Sequence, residues 1–199
     1  MAKFAIRQAV VVPLAAMVVP MLVGIATPGY SSISQQISEL DVAPYPAVVL
    51  ITRLCALLSG LALIVFAFGL WRSGGRRFGF TILCTLIFGA SMASAGVFLM
   101  GSPWHTLSGF GLFQALAPAC FAAEWRAASA RVRTISMLVA MVTLFYLWLL
   151  FVRFDPSMLK GLTQRIGIFV IFGWYSFASC ALLRAGNVKA QARGMATAD

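Results

Sequence analysis

The sequence predicts an all-α, polytopic membrane protein: a bundle of six transmembrane helices, both termini cytoplasmic, with a short amphipathic helix in the first outward loop. Three observations predict it. Of the 199 residues, 61% are hydrophobic and only 10% charged, with a mean hydropathy of +0.94, whereas a soluble domain carries about 45–50% apolar and about 25% charged residues. Such a chain has too little polar surface to cover itself in water, so the bilayer is its expected solvent. The apolar residues also fall into six runs, each near the roughly 20 residues that cross a hydrocarbon core, and the basic residues collect in alternate connectors.

The expected spans are residues 8–28, 46–70, 78–100, 105–123, 134–152 and 161–183, forming one domain over 1–184. Residues 185–199 are expected as a flexible, basic cytoplasmic tail. Lys3 and Arg7 precede the first span, and Arg72, Arg76 and Arg77 follow the second. Arg126, Arg131 and Arg133 follow the fourth, and Arg184, Lys189 and Arg193 follow the sixth. These eleven basic residues share one side, while the opposite connectors hold Arg153 and Lys160. By the positive-inside rule the richer side is cytoplasmic, which predicts a multi-pass protein of the cell (inner or plasma) membrane. A rival reading takes the first run as a cleaved signal peptide, with a basic start and small residues Gly24 and Ala26 near a cleavage point. Six spans fit the charge pattern without cleavage.

The net charge of +10 would suggest nucleic acid in a soluble protein. Here the charges lie in short loops between apolar runs, so membrane lipids are the expected partners and nucleic acid is not. Cys55, Cys84, Cys120 and Cys180 lie inside apolar runs without CxxC spacing, which reads as burial rather than as a disulfide framework. His105 is the single histidine. A bis-histidine haem is thereby excluded, and zinc sites usually recruit more nitrogen or sulfur ligands. No P-loop, GxSxG or HExxH occurs. No cofactor and no metal site is expected.

Small residues cluster in the third span, from Gly89 to Gly96, and Gly161, Gly167 and Gly173 punctuate the sixth. Such faces let helix backbones approach closely in lipid. Pro13, Pro20 and Pro118 are candidate kinks.

The outward stretch Tyr30 to Pro46, YSSISQQISELDVAPYP, is the long polar passage of the first third of the chain. Ser32 to Gln35 fits a capping box, and Ile33, Ile37 and Leu40 follow at helical spacing, leaving Gln35, Ser38 and Glu39 off the apolar stripe. Arg53, His105 and the pair Gln164–Arg165 are expected at the same depth, with Asp155 in the last outward loop. Charged groups inside a span are costly and usually find partners, and Glu39 and Asp41 are the anions available to Arg53 and Arg165. These groups either form structural pairs and snorkel to the headgroups or line an outward polar pocket.

YSSISQQISEL, the histidine of SPWHTLSGFGLF and the last helix GLTQRIGIFVIFGWYSFASCALLR together resemble the prokaryotic membrane family known as domain of unknown function 998. The resemblance runs from about Val10 to Arg184 and implies a six-helix integral membrane protein without an established activity. It draws attention to Ser38, Glu39, His105, Gln164, Arg165 and Trp174, which stand on the matching positions. Asp41 departs from the glycine expected after Ser-Glu-Leu, and GSPW lacks the acidic residue often found before the histidine.

Three functions are open at this level. The pocket could bind a lipid headgroup or small anionic solute through Ser38, Glu39, Arg53, His105, Gln164 and Arg165, since arginine suits phosphate or carboxylate. The chain could be an accessory subunit, meeting a membrane-protein partner or a second copy of itself through its small-residue faces. It could instead be an enzyme acting on a lipid or lipid-linked substrate, with Glu39 and His105 as acid and base.

Overall fold

The computed structural model describes residues 1–73, 78–105, 110–126, 128–152 and 158–196, with side chains not described for Phe110 and 187–196. Among these, every regular element is helical: α1 (Ala2–Gln8), α2 (Val12–Ala26), α3 (Pro46–Ser73), α4 (Phe80–Val97), α5 (Phe113–Glu124), α6 (Ala130–Phe151) and α7 (Lys160–Ala196). Two 3-10 helices, Ile37–Val42 and Phe110–Leu112, join them. Arg76, Arg77, Arg153 and Asp155 lie outside the described residues.

Five segments are long and apolar enough to cross a membrane: Ala2–Ala26, Pro46–Ser73, Phe80–Val97, Ala130–Phe151 and Lys160–Gly186. The expected fourth span differs. Its helix, α5, has 12 residues, about 18 Å at a rise of about 1.5 Å per residue, short of the roughly 30 Å core. His105 lies in a turn before it rather than at its start. The sixth span also differs, because helical backbone continues through Ala196 into the stretch expected as a tail.

The first span is two helices. Single-turn bonds from Ala9, Val10 and Val11 to Ile6, Arg7 and Gln8 close α1, and Pro13 opens α2, where its missing N–H leaves no donor unsatisfied. Side chains stitch the break to α3. Gln8 donates to the Ala62 carbonyl at 2.8 Å and Ser59 donates to the Pro13 carbonyl at 3.2 Å.

Helices α3 and α4 pack at backbone distance. A methyl group on Gly60 would lie 2.3 Å from the Ala93 nitrogen, and one on Gly96 would lie 2.5 Å from the Leu57 nitrogen. The small-residue face of the third span is thus occupied from within, by α3. At the end of the bundle away from the Tyr30–Pro46 stretch, Glu124 closes α5 onto α4. Its carboxylate accepts from the Phe80 and Thr81 amides at 2.7 and 3.0 Å, where an anion meets the helix N-terminus favourably. Trp174 binds α7 to α6 by donating to the Ser136 hydroxyl at 2.9 Å. Its ring packs edge-on against Phe121 and Tyr175, and Tyr175 meets Phe66 and Phe88, so one aromatic cluster joins α3, α4, α5 and α7. The large side chains of α6, including Leu138, Met141, Phe145 and Trp148, remain exposed, as a lipid-facing helix requires.

Gly60→Ala is expected to destabilise the detergent-solubilised protein by about 1–3 kcal/mol, the usual range for overpacking. Gly173→Ala, with nothing within 4 Å of the added methyl, is expected to be neutral. Thermal unfolding of the two variants side by side checks the contrast.

Candidate functional site

The site is built by folding the Tyr30–Pro46 stretch down onto the start of α7. Thr27 to Tyr30 form a turn closed by the Tyr30 amide on the Thr27 carbonyl at 3.2 Å. Pro28 and Gly29 occupy its centre, and Gly29 has φ +76°, as position three of a type II turn demands. The turn carries Tyr30 inward. Arg165, 9% exposed, then donates to the Tyr30 hydroxyl at 2.8 Å, the Gly161 carbonyl at 2.8 Å and the Gln35 carbonyl at 3.1 Å. The Tyr30 hydroxyl in turn donates a hydrogen bond to the Gln35 carbonyl at 3.1 Å. Burial raises the Tyr30 phenol above its usual 10.0 despite the guanidinium beside it, which keeps that donor in place. Gln164 accepts from the Ile37 amide at 2.8 Å, and the Leu162 amide donates to the Ile33 carbonyl at 3.0 Å. Glycine is required at 161, since a Cβ there would lie 2.2 Å from the Gln35 oxygen.

The expected amphipathic α-helix is replaced by the 3-10 helix Ile37–Val42. Its capping box is Gln36 with Glu39, not Ser32 with Gln35: the Gln36 amide donates to Glu39 at 2.9 Å. Ser31 and Gln35 instead close the preceding turn, with the Ser31 amide on the Gln35 side chain at 2.7 Å. Ile33 is exposed while Ile37 and Leu40 are buried. A 3-10 helix repeats every three residues, and this repeat sorts the side chains. Ile37 and Leu40 point into the core, Ser38 and Asp41 line a cavity, and Glu39 and Val42 face a separate outer groove.

The cavity, about 290 Å³, lies among α2, α3, α4, α5, α6 and α7 beneath this 3-10 helix. Ser38, Asp41, Thr52, His105, Gln114 and Gln164 supply its polar groups, and Met17, Phe88, Met92 and Phe172 much of its apolar wall. Among the described residues, no Lys or Arg lines it. Asp41 is 3% exposed, and neither carboxylate oxygen has a hydrogen-bond partner among the described residues. The Thr52 hydroxyl is likewise buried without a partner there. His105 Nδ1 lies 2.8 Å from the Phe98 carbonyl and 3.7 Å from an Asp41 oxygen. A carbonyl only accepts, so Nδ1 carries a proton, and in the neutral ring Nε2 is left as an acceptor.

The candidate residues therefore divide. Ser38, His105 and Gln164 line the cavity; Glu39, Arg53 and Arg165 do not. Neither arginine pairs with the acids available to it. Arg53 donates to the Gly96 and Val97 carbonyls, the unsatisfied end of α4 where a cation is favoured. Glu39 pairs with Lys160 at 2.9 Å, so Glu39 and His105 do not meet in one cavity. Asp41 takes the place beside His105. Thr52 and Gln114 escaped the sequence reading, and Asp41 entered it only as an anion for the arginines; an Asp three residues after Ser38 was the available signal, had a 3-10 repeat been assumed.

The two carboxylates shift oppositely. Burial pushes the Asp41 carboxyl above its usual 3.8, against the opposing pull of His105, Arg53 and the nearby Met100 amide. Burial also acts to raise Glu39, but the Gln36 amide and Lys160 outweigh it and hold the carboxyl below its usual 4.5. A raised carboxyl binds its proton more tightly when folded, so stability falls as pH rises from 3.8 through the folded value. A lowered one contributes stability above 4.5 that is lost as pH falls through the folded value. Asp41→Asn is accordingly expected to raise the melting temperature at pH 7 and to lose that advantage near pH 4, whereas Glu39→Gln lowers it at pH 7 and converges with the parent in acid. Melting curves across pH separate them. Arg165→Lys is expected to cost about 2 kcal/mol, since one ammonium cannot serve three acceptors held by a planar fork; the same melting assay at fixed pH checks it.

A family model described as "Protein of unknown function (DUF998)" matches residues 10–181. No curated protein and no solved structure matches the chain.

Proposed function

The chain belongs to the DUF998 family of proteins of unknown function, and from that premise we propose a six-span protein of the cell membrane, both termini cytoplasmic, that binds a small ligand in the cavity beneath the 3-10 helix. On this reading α5, together with the residues between α4 and α5, accounts for the fourth crossing. Glu124 at the start of α4 supports this, because it brings the end of α5 level with the opposite end of its neighbour. The bias of basic residues orients the whole, with the cavity outward.

Asp41 carries the proposal. A buried carboxylate with no close hydrogen-bond partner among the described residues is rare in a folded protein, and each such group calls for a reason. Burying a charge whose nearest ionisable neighbour is a histidine 3.7 Å away is costly, and acids displaced by burial concentrate at functional sites. A ligand that donates hydrogen bonds or carries a positive charge would complete Asp41, while the apolar wall would hold its body. The anionic ligand expected from sequence loses its support. Arg165 and Arg53, which were to hold the anion, direct their donors to backbone carbonyls and a phenol, and among the described residues no Lys or Arg lines the cavity.

A second reading rests on the 3.7 Å approach of His105 and Asp41. With a lipid or lipid-linked substrate in the cavity, His105 would act as base and Asp41, rather than Glu39, as its orienting or proton-exchanging partner. The accessory-subunit reading is weakened on one side, because the small residues of α4 already face α3.

Native mass spectrometry of protein extracted gently from its own membrane tests the binding reading. A discrete added mass is expected on the parent and on Glu39→Gln, and is expected to be lost from Asp41→Asn while its fold is kept. Retention of that mass by Asp41→Asn would remove the carboxylate as anchor.

A further inference from the structure

At the opposite end of the bundle a larger groove, about 840 Å³, opens between α5, α6 and α7. Its wall is apolar, with Phe121, Val132, Ile135 and Phe177 among its lining, and Trp125 is also part of it. Arg131 on α6 and Arg184 on α7 line the same groove. Both are exposed, and among the described residues neither has an ion pair or a side-chain hydrogen bond. Among the described residues Glu124 is the acid at this end, and its oxygens are engaged by the Phe80 and Thr81 amides and the Thr81 hydroxyl. Glu39 and Asp41 stand at the far end.

We infer that this groove is a binding site for an anionic glycerophospholipid, with the phosphate between Arg131 and Arg184 and an acyl chain along the apolar wall. Three features of the groove favour this occupant. Its charge is positive and, among the described residues, uncompensated, so an anion is favoured over a neutral molecule. Guanidinium groups pair with phosphate oxygens through two parallel N–H donors. An apolar slot that also bears two arginines matches a molecule with a charged head and a hydrocarbon tail, and basic pockets between transmembrane helices are known places for such headgroups. Trp125 in the same lining supplies an amphipathic ring of the kind favoured between headgroup and hydrocarbon. A soluble phosphate would satisfy the arginines but leave the apolar wall uncovered. The site is independent of the Asp41 cavity and stands or falls without it.

The test uses the full chain in a mild non-ionic detergent, titrated with phosphatidylglycerol or with phosphatidylcholine of equal chain length, and read as bound lipid by native mass spectrometry. Phosphatidylglycerol is expected to bind at least tenfold more tightly than phosphatidylcholine. The double variant Arg131→Gln/Arg184→Gln is expected to abolish that preference with an unchanged melting temperature, since neither side chain supports the fold. Arg72→Gln/Arg126→Gln, which removes equal charge at residues that do not line the groove, is expected to keep it. Equal binding of the two lipids, an equal loss in both double variants, or full competition by sn-glycerol 3-phosphate would each overturn the inference. The last outcome would assign the arginines to a soluble phosphate instead.

Discussion

A single guanidinium holds the Tyr30–Pro46 end of this protein together. Among the described residues Arg165 pairs with no carboxylate; it bridges three neutral acceptors that belong to two distant parts of the chain, the Tyr30–Gln35 turn and the first turn of α7. In a bilayer, polar groups must be satisfied from within the protein, and these carbonyls would otherwise stand open where loop meets helix. The contact needs backbone against backbone, which the bare Cα of Gly161 permits. Once the turn is seated, the 3-10 helix that follows has little freedom, and Ser38 and Asp41 are delivered to the roof of the cavity.

That arrangement separates structural from functional polarity. Arg165, Arg53, Glu39 and Glu124 are each matched by partners that complete a turn or a helix end. Asp41 and Thr52 are buried with no such partner among the described residues. Groups of the first kind lower the energy of the fold; those of the second raise it and are kept in spite of that. Local cost without local compensation is where function is expected. The opposed displacements of Glu39 and Asp41, two residues apart in sequence, express the same division electrostatically.

The two ends of the bundle also differ in sign. Among the described residues, the cavity near the 3-10 helix is lined by one carboxylate and no Lys or Arg, while the groove at the other end is lined by two arginines and no acid. The aromatic cluster about Trp174 and Tyr175 fills the space between them. The two sites thus address different chemistry from opposite ends of one packed core.

Composition and charge placement alone determined that the chain is helical, apolar and multi-pass, because transfer of residues into hydrocarbon is a property of each segment by itself. The packing role of the Gly89–Gly96 face was legible for the same reason: small residues at helical spacing leave a flat surface whatever packs on it. The tertiary structure decided the rest. Whether Arg165 meets an acid or a carbonyl depends on which backbone lies within reach, and no local pattern carries that. The period of a short polar helix depends on what clamps its ends; a repeat of three rather than 3.6 moved Glu39 away from His105 and set Asp41 beside it. Short-range pattern determined where the polar residues are, and long-range contact determined which of them face one another.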